Sequence, residues 1–147
     1  GITYERIAIS LCLQHDKFHS IPRVRRIMDS SINVLGGDLA ECSKDPLTGW
    51  YRDGCCNTDD SDFGRHVVCC VVTETFLQFA RSQGNDLMTP APQFGFPGLK
   101  DGDRWCVCAN TWLAAYEQGA ACPVDLEATH ETALQIIDLE QLETHAI

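Results

Sequence analysis

Six consecutive apolar residues, Val67-Val68-Cys69-Cys70-Val71-Val72, leave neither face of that segment fit for water. An alternating pattern would mark a strand with one wet face. A short, β-branched, continuously apolar run marks a strand buried on both. Thr73 follows as a helix N-cap with Glu74 in the first turn, and Phe76, Leu77, Phe79 and Ala80 supply an apolar face before Gly84-Asn85 ends the helix. A second strand is predicted over Trp105 to Cys108. A helix follows over Ala109 to Gln118, with Trp112, Leu113 and Tyr116 inward and Gly119 as its stop. Short strands are expected at Asn33 to Leu35 and Trp50-Tyr51, and a third core strand at Pro123 to Leu126. A helical turn at Glu131 to Leu134 and an Asp138-capped helix over Leu139 to His145 complete the pattern. Three prolines and three glycines within residues 85–103 predict a long loop, of the kind that often carries function. The fold class expected is α+β: a single compact domain with a small mixed sheet, several helices and that Pro/Gly loop.

The chain has 147 residues, 44% of them hydrophobic, which suits one globular domain with its own core. It lacks an apolar run of about 18 residues, so no membrane-spanning helix is expected. The formal net charge of −10 disfavours phosphate backbones, so nucleic acid is not an expected partner. That charge is unevenly spread. Residues 1–28 hold Arg6, Lys17, Arg23, Arg25 and Arg26 against Glu5 and Asp16, leaving −13 for the remainder. With Pro22 and Met28 at the break, residues 1–28 read as an N-terminal extension outside the native core, with Met28 as the native start. Residues 29–147 read as the α+β domain.

Nine cysteines make the chain cysteine-rich: Cys12, Cys42, Cys55, Cys56, Cys69, Cys70, Cys106, Cys108 and Cys122. The count is odd and no secretion signal is evident, so reduced thiols and a cytoplasmic location are expected rather than a disulfide framework. Cys106 and Cys108 alternate on a strand and so share a face, whereas the vicinal Cys69 and Cys70 point to opposite sides, one of them into the core. Cys55-Cys56 follows the turn dipeptide Asp53-Gly54. Paired C-x2-C ligand spacing is absent. Candidate metal ligands are Cys55, Cys56, Cys69, Cys106, Cys108 and His130, with His66 also in view, and soft thiolates would select zinc or copper. For thiol chemistry the candidates are Cys55 and Cys56 with His66 as base, since an adjacent imidazolium activates a thiol. The bland alternative is that the cysteines are small buried hydrophobes, His130 a cap or core hydrogen-bonder, and His145 a partner of the last helix dipole. Arg52 and Arg104 each lie beside an aromatic residue and near an aspartate, and read as ion pairs before anion clamps. Trp50 is a candidate pocket wall.

The strings Asn33-Val34-Leu35-Gly36, Pro46-Leu47-Thr48-Gly49 and Tyr51-Arg52-Asp53-Gly54-Cys55-Cys56-Asn57-Thr58 occur together with Arg81-Ser82-Gln83-Gly84-Asn85-Asp86-Leu87. Phe96-Pro97-Gly98-Leu99-Lys100, Gly102-Asp103-Arg104-Trp105-Cys106 and Leu126-Glu127-Ala128-Thr129-His130 complete the set. Over about residues 32–147 this resembles a small bacterial family, also found in some eukaryotes, that is known as a domain of unknown function. The resemblance implies no activity, substrate or cofactor. It puts Cys42, Cys55, Cys56, Cys69, Cys106, Cys108, His66 and His130 on motif positions, and leaves Cys12, Cys70 and Cys122 peculiar to this chain.

Two functional classes follow. One is a Cys/His cluster that binds a soft metal or performs thiol redox chemistry, with a small molecule or metal ion as partner. The other is a non-catalytic ligand- or protein-binding domain whose cysteines are structural and whose Pro/Gly loop presents the binding surface.

Overall fold

A computed structural model describes Cys12 and residues 31–147. The proposed extension of residues 1–28, apart from Cys12, lies outside the described residues. The element order is strand β1 (His66–Val71), helix α1 (Glu74–Ser82), strand β2 (Arg104–Cys108), helix α2 (Ala109–Glu117) and helix α3 (Leu139–Glu143). Short 3-10 turns occupy Pro92–Phe94, Leu126–Ala128 and Glu131–Gln135. The class is α+β, as the sequence indicates.

β1 and β2 pair antiparallel, with Cys69 opposite Cys106, Val71 opposite Arg104 and His66 opposite Cys108. The register shifts between His66 and Val68, a bulge that gives Val67 no partner of its own. The sheet is thinner than expected. Pro123 to Leu126 does not form a third strand. Instead Val124 makes single bridges, antiparallel to Cys70 and parallel to Ala146. Asn33 likewise makes only a bridge, to His130, and Trp50-Tyr51 is a turn. Each of these segments is too short or too turn-bound to propagate a ladder, so backbone groups are satisfied one bridge at a time.

The principal core joins Val67, Val68, Cys70 and Val72 to Phe76, Leu77 and Ala80 of α1 and to Trp112 and Ala115 of α2. Phe76 and Trp112 are fully buried, each contributing on the order of 2–3 kcal/mol by removal from water. The caps are those the sequence announces. Thr73 Oγ1 accepts from the Phe76 N–H at 3.1 Å, and Asp138 forms a capping box with Gln141. Trp112 Nε1 donates to the Cys122 carbonyl at 3.1 Å, so its indole is buried without an orphan donor.

The Pro/Gly loop is ordered by local bonds. Asp86 Oδ1 accepts from the N–H groups of Met88 and Thr89, and Leu99 N–H donates to the Leu87 carbonyl at 2.8 Å. At Gly98, φ is +81° and an added Cβ would lie 2.5 Å from the Met88 carbonyl oxygen, so only glycine closes this loop unstrained.

The cysteines do not stand as free thiols throughout. Disulfides join Cys12 to Cys55, Cys42 to Cys69 and Cys56 to Cys106, with only Cys70, Cys108 and Cys122 unpaired. This corrects the expectation of a fully reduced set. The partners are 43, 27 and 50 residues apart, a pairing that spacing rules do not encode. The strand alternation itself holds. Cys69 joins the disulfide cluster with Cys42, Cys56 and Cys106, whereas Cys70 enters the principal core.

Candidate functional site

Antiparallel pairing sets His66 and Cys108 directly opposite one another, so their side chains project from the same face. Cys108 Sγ lies 3.8 Å from His66 Nε2. On the far side of the ring, His66 Nδ1 is 2.7 Å from Asp62 Oδ1. Asp62 is buried, and its second oxygen accepts from the His66 backbone N–H at 3.0 Å and from the Thr58 hydroxyl at 2.9 Å. Sulfur, imidazole and carboxylate thus form one continuous chain. Trp50 stacks on the imidazole, with ring centroids 5.9 Å apart and planes within 14°.

Three local features make the approach feasible. Gly64 sits under the pair: a Cβ there would lie 2.9 Å from Cys108 Sγ and 3.0 Å from His66 Cε1. Arg65 turns the chain with φ of +52°, and its carbonyl accepts the Ala109 N–H at 2.9 Å, tying the histidine's loop to the start of α2. Cys108 is the N-cap of α2. The sulfur therefore stands where a strand gives way to a helix N-terminus, and the N–H groups of Asn110 and Thr111 fall in the first turn, where an α-helix offers no internal acceptor.

The His66 side chain is 39% exposed, yet its pKa is raised to about 9. The bond to Cys108 is the main cause and the bond to Asp62 supports it, both acting against burial, which lowers it. The cavity beside this pair has a volume of about 370 Å³. Trp50, Phe94, Phe96 and Trp105 give it aromatic walls, and the Pro/Gly loop closes one side through Asn85, Asp86 and Leu87. Arg52 stands at the cavity with its guanidinium 5.1 Å from the Trp105 ring centre.

The remaining candidates fall elsewhere. The sulfur that meets His66 belongs to Cys108, not to Cys55 or Cys56, both of which are taken up in disulfides. Of the candidate metal ligands, Cys56, Cys69 and Cys106 share one buried cluster with Cys42, whereas Cys55 packs with Cys12 and Leu39. His130 caps the turn Glu131–Gln135, its Nδ1 accepting from the Thr132 N–H at 3.1 Å, and burial lowers its pKa. It is a neutral cap. The free thiols of Cys70 and Cys122 share a hydrogen bond in the core, and burial pushes the Cys70 pKa well up, so it stays a protonated core thiol. Arg104 forms an ion pair with Asp125 at 2.5 Å, as expected, but Arg52 stacks on an aromatic ring instead.

A family model described as "uncharacterized protein conserved in bacteria (DUF2237)" matches residues 32–146. The chain belongs to DUF2237. The matched span takes in Asp62, His66 and Cys108, the cavity and the two disulfides of the Cys42 cluster; Cys12 lies outside it. No curated protein matches the chain. Asp62 and Gly64 were not singled out from sequence as parts of a site. The available signals were the i, i+4 spacing of Asp62 and His66, and a cysteine placed at a strand-to-helix junction.

Proposed function

We propose that this member of DUF2237 is a thiol-dependent acyl-transfer or hydrolytic enzyme, with Cys108 as nucleophile, His66 as general base and acid, and Asp62 as the group that orients His66. The observation that carries this reading is the continuous Cys108–His66–Asp62 chain opening on an aromatic-walled cavity. Recognition of such triads rests on geometry and roles, not on sequence order. The 3.8 Å sulfur–nitrogen separation leaves the pair within reach of proton transfer once substrate binding tightens it.

In this mechanism the Cys108 thiolate attacks the carbonyl carbon of an ester, thioester or amide, forming a carbon–sulfur bond and a tetrahedral oxyanion. The N–H groups of Asn110 and Thr111, in the first turn of α2, would take the developing negative charge, aided by the helix dipole. The oxyanion collapses, the carbon–leaving-group bond breaks, and His66 gives its proton to the leaving group. Water then attacks the thioester while His66 takes its proton, and the carboxylic acid departs as the thiol is restored. The aromatic walls suit an apolar acyl group. Cys108 must remain reduced for this chemistry, and it stands outside the three disulfides.

The test is burst kinetics with a panel of p-nitrophenyl esters of increasing acyl length, read together with intact-protein mass. The expected result is a stoichiometric burst with one acyl group on Cys108, absent in Cys108→Ala and slowed in His66→Gln. Acylation at lysines or the N-terminus alone, unchanged by Cys108→Ala, would sink the proposal.

A further inference from the structure

A second group of sulfurs lies apart from the cavity pair. Cys69 and Cys106 are cross-strand neighbours on β1 and β2, and each carries a partner from the preceding loops, Cys42 and Cys56. All four are buried. The Sγ atoms of Cys42, Cys56 and Cys106 lie within 4.8 Å of one another, and that of Cys69 is one bond from Cys42. Two disulfides are thus packed against each other as a four-sulfur knot.

We infer that this knot is a redox-gated metal site, in which Cys42, Cys56, Cys69 and Cys106 together bind one zinc ion once both disulfides are reduced. A tetrahedral zinc tetrathiolate has Zn–S distances of about 2.3 Å, which places its sulfurs about 3.8 Å apart. The sulfurs of Cys42, Cys56 and Cys106 already lie within 4.8 Å of one another, so the tetrahedron needs a contraction of up to about 1 Å and the approach of Cys69. Opening each disulfide requires side-chain rotation only, because the paired Cα atoms are 5.8 and 5.4 Å apart. The surroundings suit the dianion that would form. Arg104 Nη2 is 3.5 Å from Cys69 Sγ, and its Nε donates to the Cys42 carbonyl at 2.8 Å. Asp125 pairs with the same guanidinium and fixes it there. Outer donors of this kind orient ligands and temper the charge of a metal–thiolate centre.

The chemistry balances in two stages. A dithiol reductant, protein or small molecule, gives two electrons and two protons to each disulfide and is itself oxidised to a disulfide. Zn²⁺ then binds the four thiols and releases four protons, with no change in its own oxidation state. Oxidation by a peroxide or a disulfide reverses the sequence and expels the ion. Cys108 and His66 are not among its ligands, and the site meets the cavity of the proposed thiol enzyme through Cys106.

The test loads the whole chain with zinc or Co²⁺ after anaerobic reduction with a phosphine and removal of the reductant. One ion per chain is expected in the reduced form and none in the oxidised form, with Co²⁺ giving the absorption of a tetrahedral tetrathiolate. Cys69→Ser and Cys106→Ser should each weaken binding at least about tenfold. Cys108→Ser and Cys55→Ser should bind as the unaltered chain does. If reduction unfolds the protein, zinc should restore its circular dichroism. A reduced chain that takes up no ion would overturn the inference. So would a cobalt spectrum with fewer than four thiolates, or binding unchanged in both Cys69→Ser and Cys106→Ser.

Discussion

Asp62→Asn is nearly isosteric, yet it should disable the site. The native carboxylate accepts three bonds: from His66 Nδ1 at 2.7 Å, from the His66 N–H at 3.0 Å and from the Thr58 hydroxyl at 2.9 Å. An amide has only one oxygen. If that oxygen faces Nδ1, the NH₂ group confronts the backbone N–H, leaving a buried donor unpaired at a cost of about 1–3 kcal/mol. If the amide is turned the other way, its NH₂ donates to Nδ1 and forces the proton onto Nε2. The ring then cannot accept a proton from Cys108. Either arrangement also removes a full negative charge beside the imidazole. Native His66 titrates near 9 against an ordinary 6.5, a gross difference of about 3.4 kcal/mol at 1.36 kcal/mol per unit. The ring is more than a third exposed, so solvent screening reduces the realised value to about 1–2 kcal/mol. Asp62 supplies the smaller share after Cys108. The His66 pKa should therefore fall, and alkylation of Cys108 by iodoacetamide near neutral pH should slow by about tenfold, the equivalent of 1.4 kcal/mol. Buried Cys70 and Cys122 stay silent in the native chain, so intact mass reports Cys108. An Asp62→Asn protein with the native alkylation profile and an unchanged His66 titration would refute the orienting role.

Other consequences can be measured alongside. Gly64→Ala should push Cys108 and His66 apart, abolishing the ester burst while costing about 1–3 kcal/mol in urea unfolding from overpacking; full activity in that variant would mean the pair does not need this contact. Because the folded His66 pKa is raised, its stabilisation is complete below pH 6.5 and lost as pH rises through about 9. The stability gap between the unaltered chain and His66→Gln should thus narrow over that window, and a gap that widens would contradict the ion-pair assignment. Reducing or deleting the Cys12–Cys55 bond, which closes a separation of 43 residues, should lower stability by up to about 4 kcal/mol on loop-closure entropy. Thr73→Ala should cost about 1 kcal/mol through loss of the α1 cap and leave Cys108 alkylation untouched.

What the sequence made legible is what local physics determines. The buried strand before Thr73, the Thr73 and Asp138 caps, and the opposite fates of Cys69 and Cys70 all follow from periodicity and capping. The third strand failed because Val124 finds its partners singly, at Cys70 and Ala146, which no pattern within five residues can reveal. The site was half visible. His66 was identifiable as a candidate base, but its partner lies 42 positions away, and the partner's identity depends on strand register. Cys55-Cys56 drew attention as a vicinal pair after a turn, whereas their actual partners are Cys12 and Cys106. Sequence spacing described where those sulfurs start and not where the chain delivers them.

Register also explains how one short sheet holds two sulfur chemistries side by side. Cys106 and Cys108 project from the same face of β2, and meet Cys69 and His66 respectively across the ladder. The Val67 bulge lies between those two contacts. Without it, an unbroken ladder would set Val67, not His66, opposite Cys108, since Val68 already faces Val107. Side chains at 66 and 67 point to opposite faces, so the imidazole would leave the cavity side. The extra residue restores His66 to the face that carries Cys108 and increases the local twist, in the manner of bulges beside active sites. Beyond the bulge the chain opens into the Gly64–Arg65 turn and the cavity, which leaves Cys108 half-buried and reachable. On the other side the loops bearing Cys42 and Cys56 close over Cys69 and Cys106 and exclude water. Deleting Val67 would close the bulge and make His66 the residue before Val68, so His66 should stay opposite Cys108 while Cys69 stays opposite Cys106. Mass mapping should find the Cys42–Cys69 and Cys56–Cys106 disulfides intact and the alkylation rate of Cys108 close to that of the unaltered chain, whereas a Cys108 that reacts as an ordinary thiol would refute the register argument.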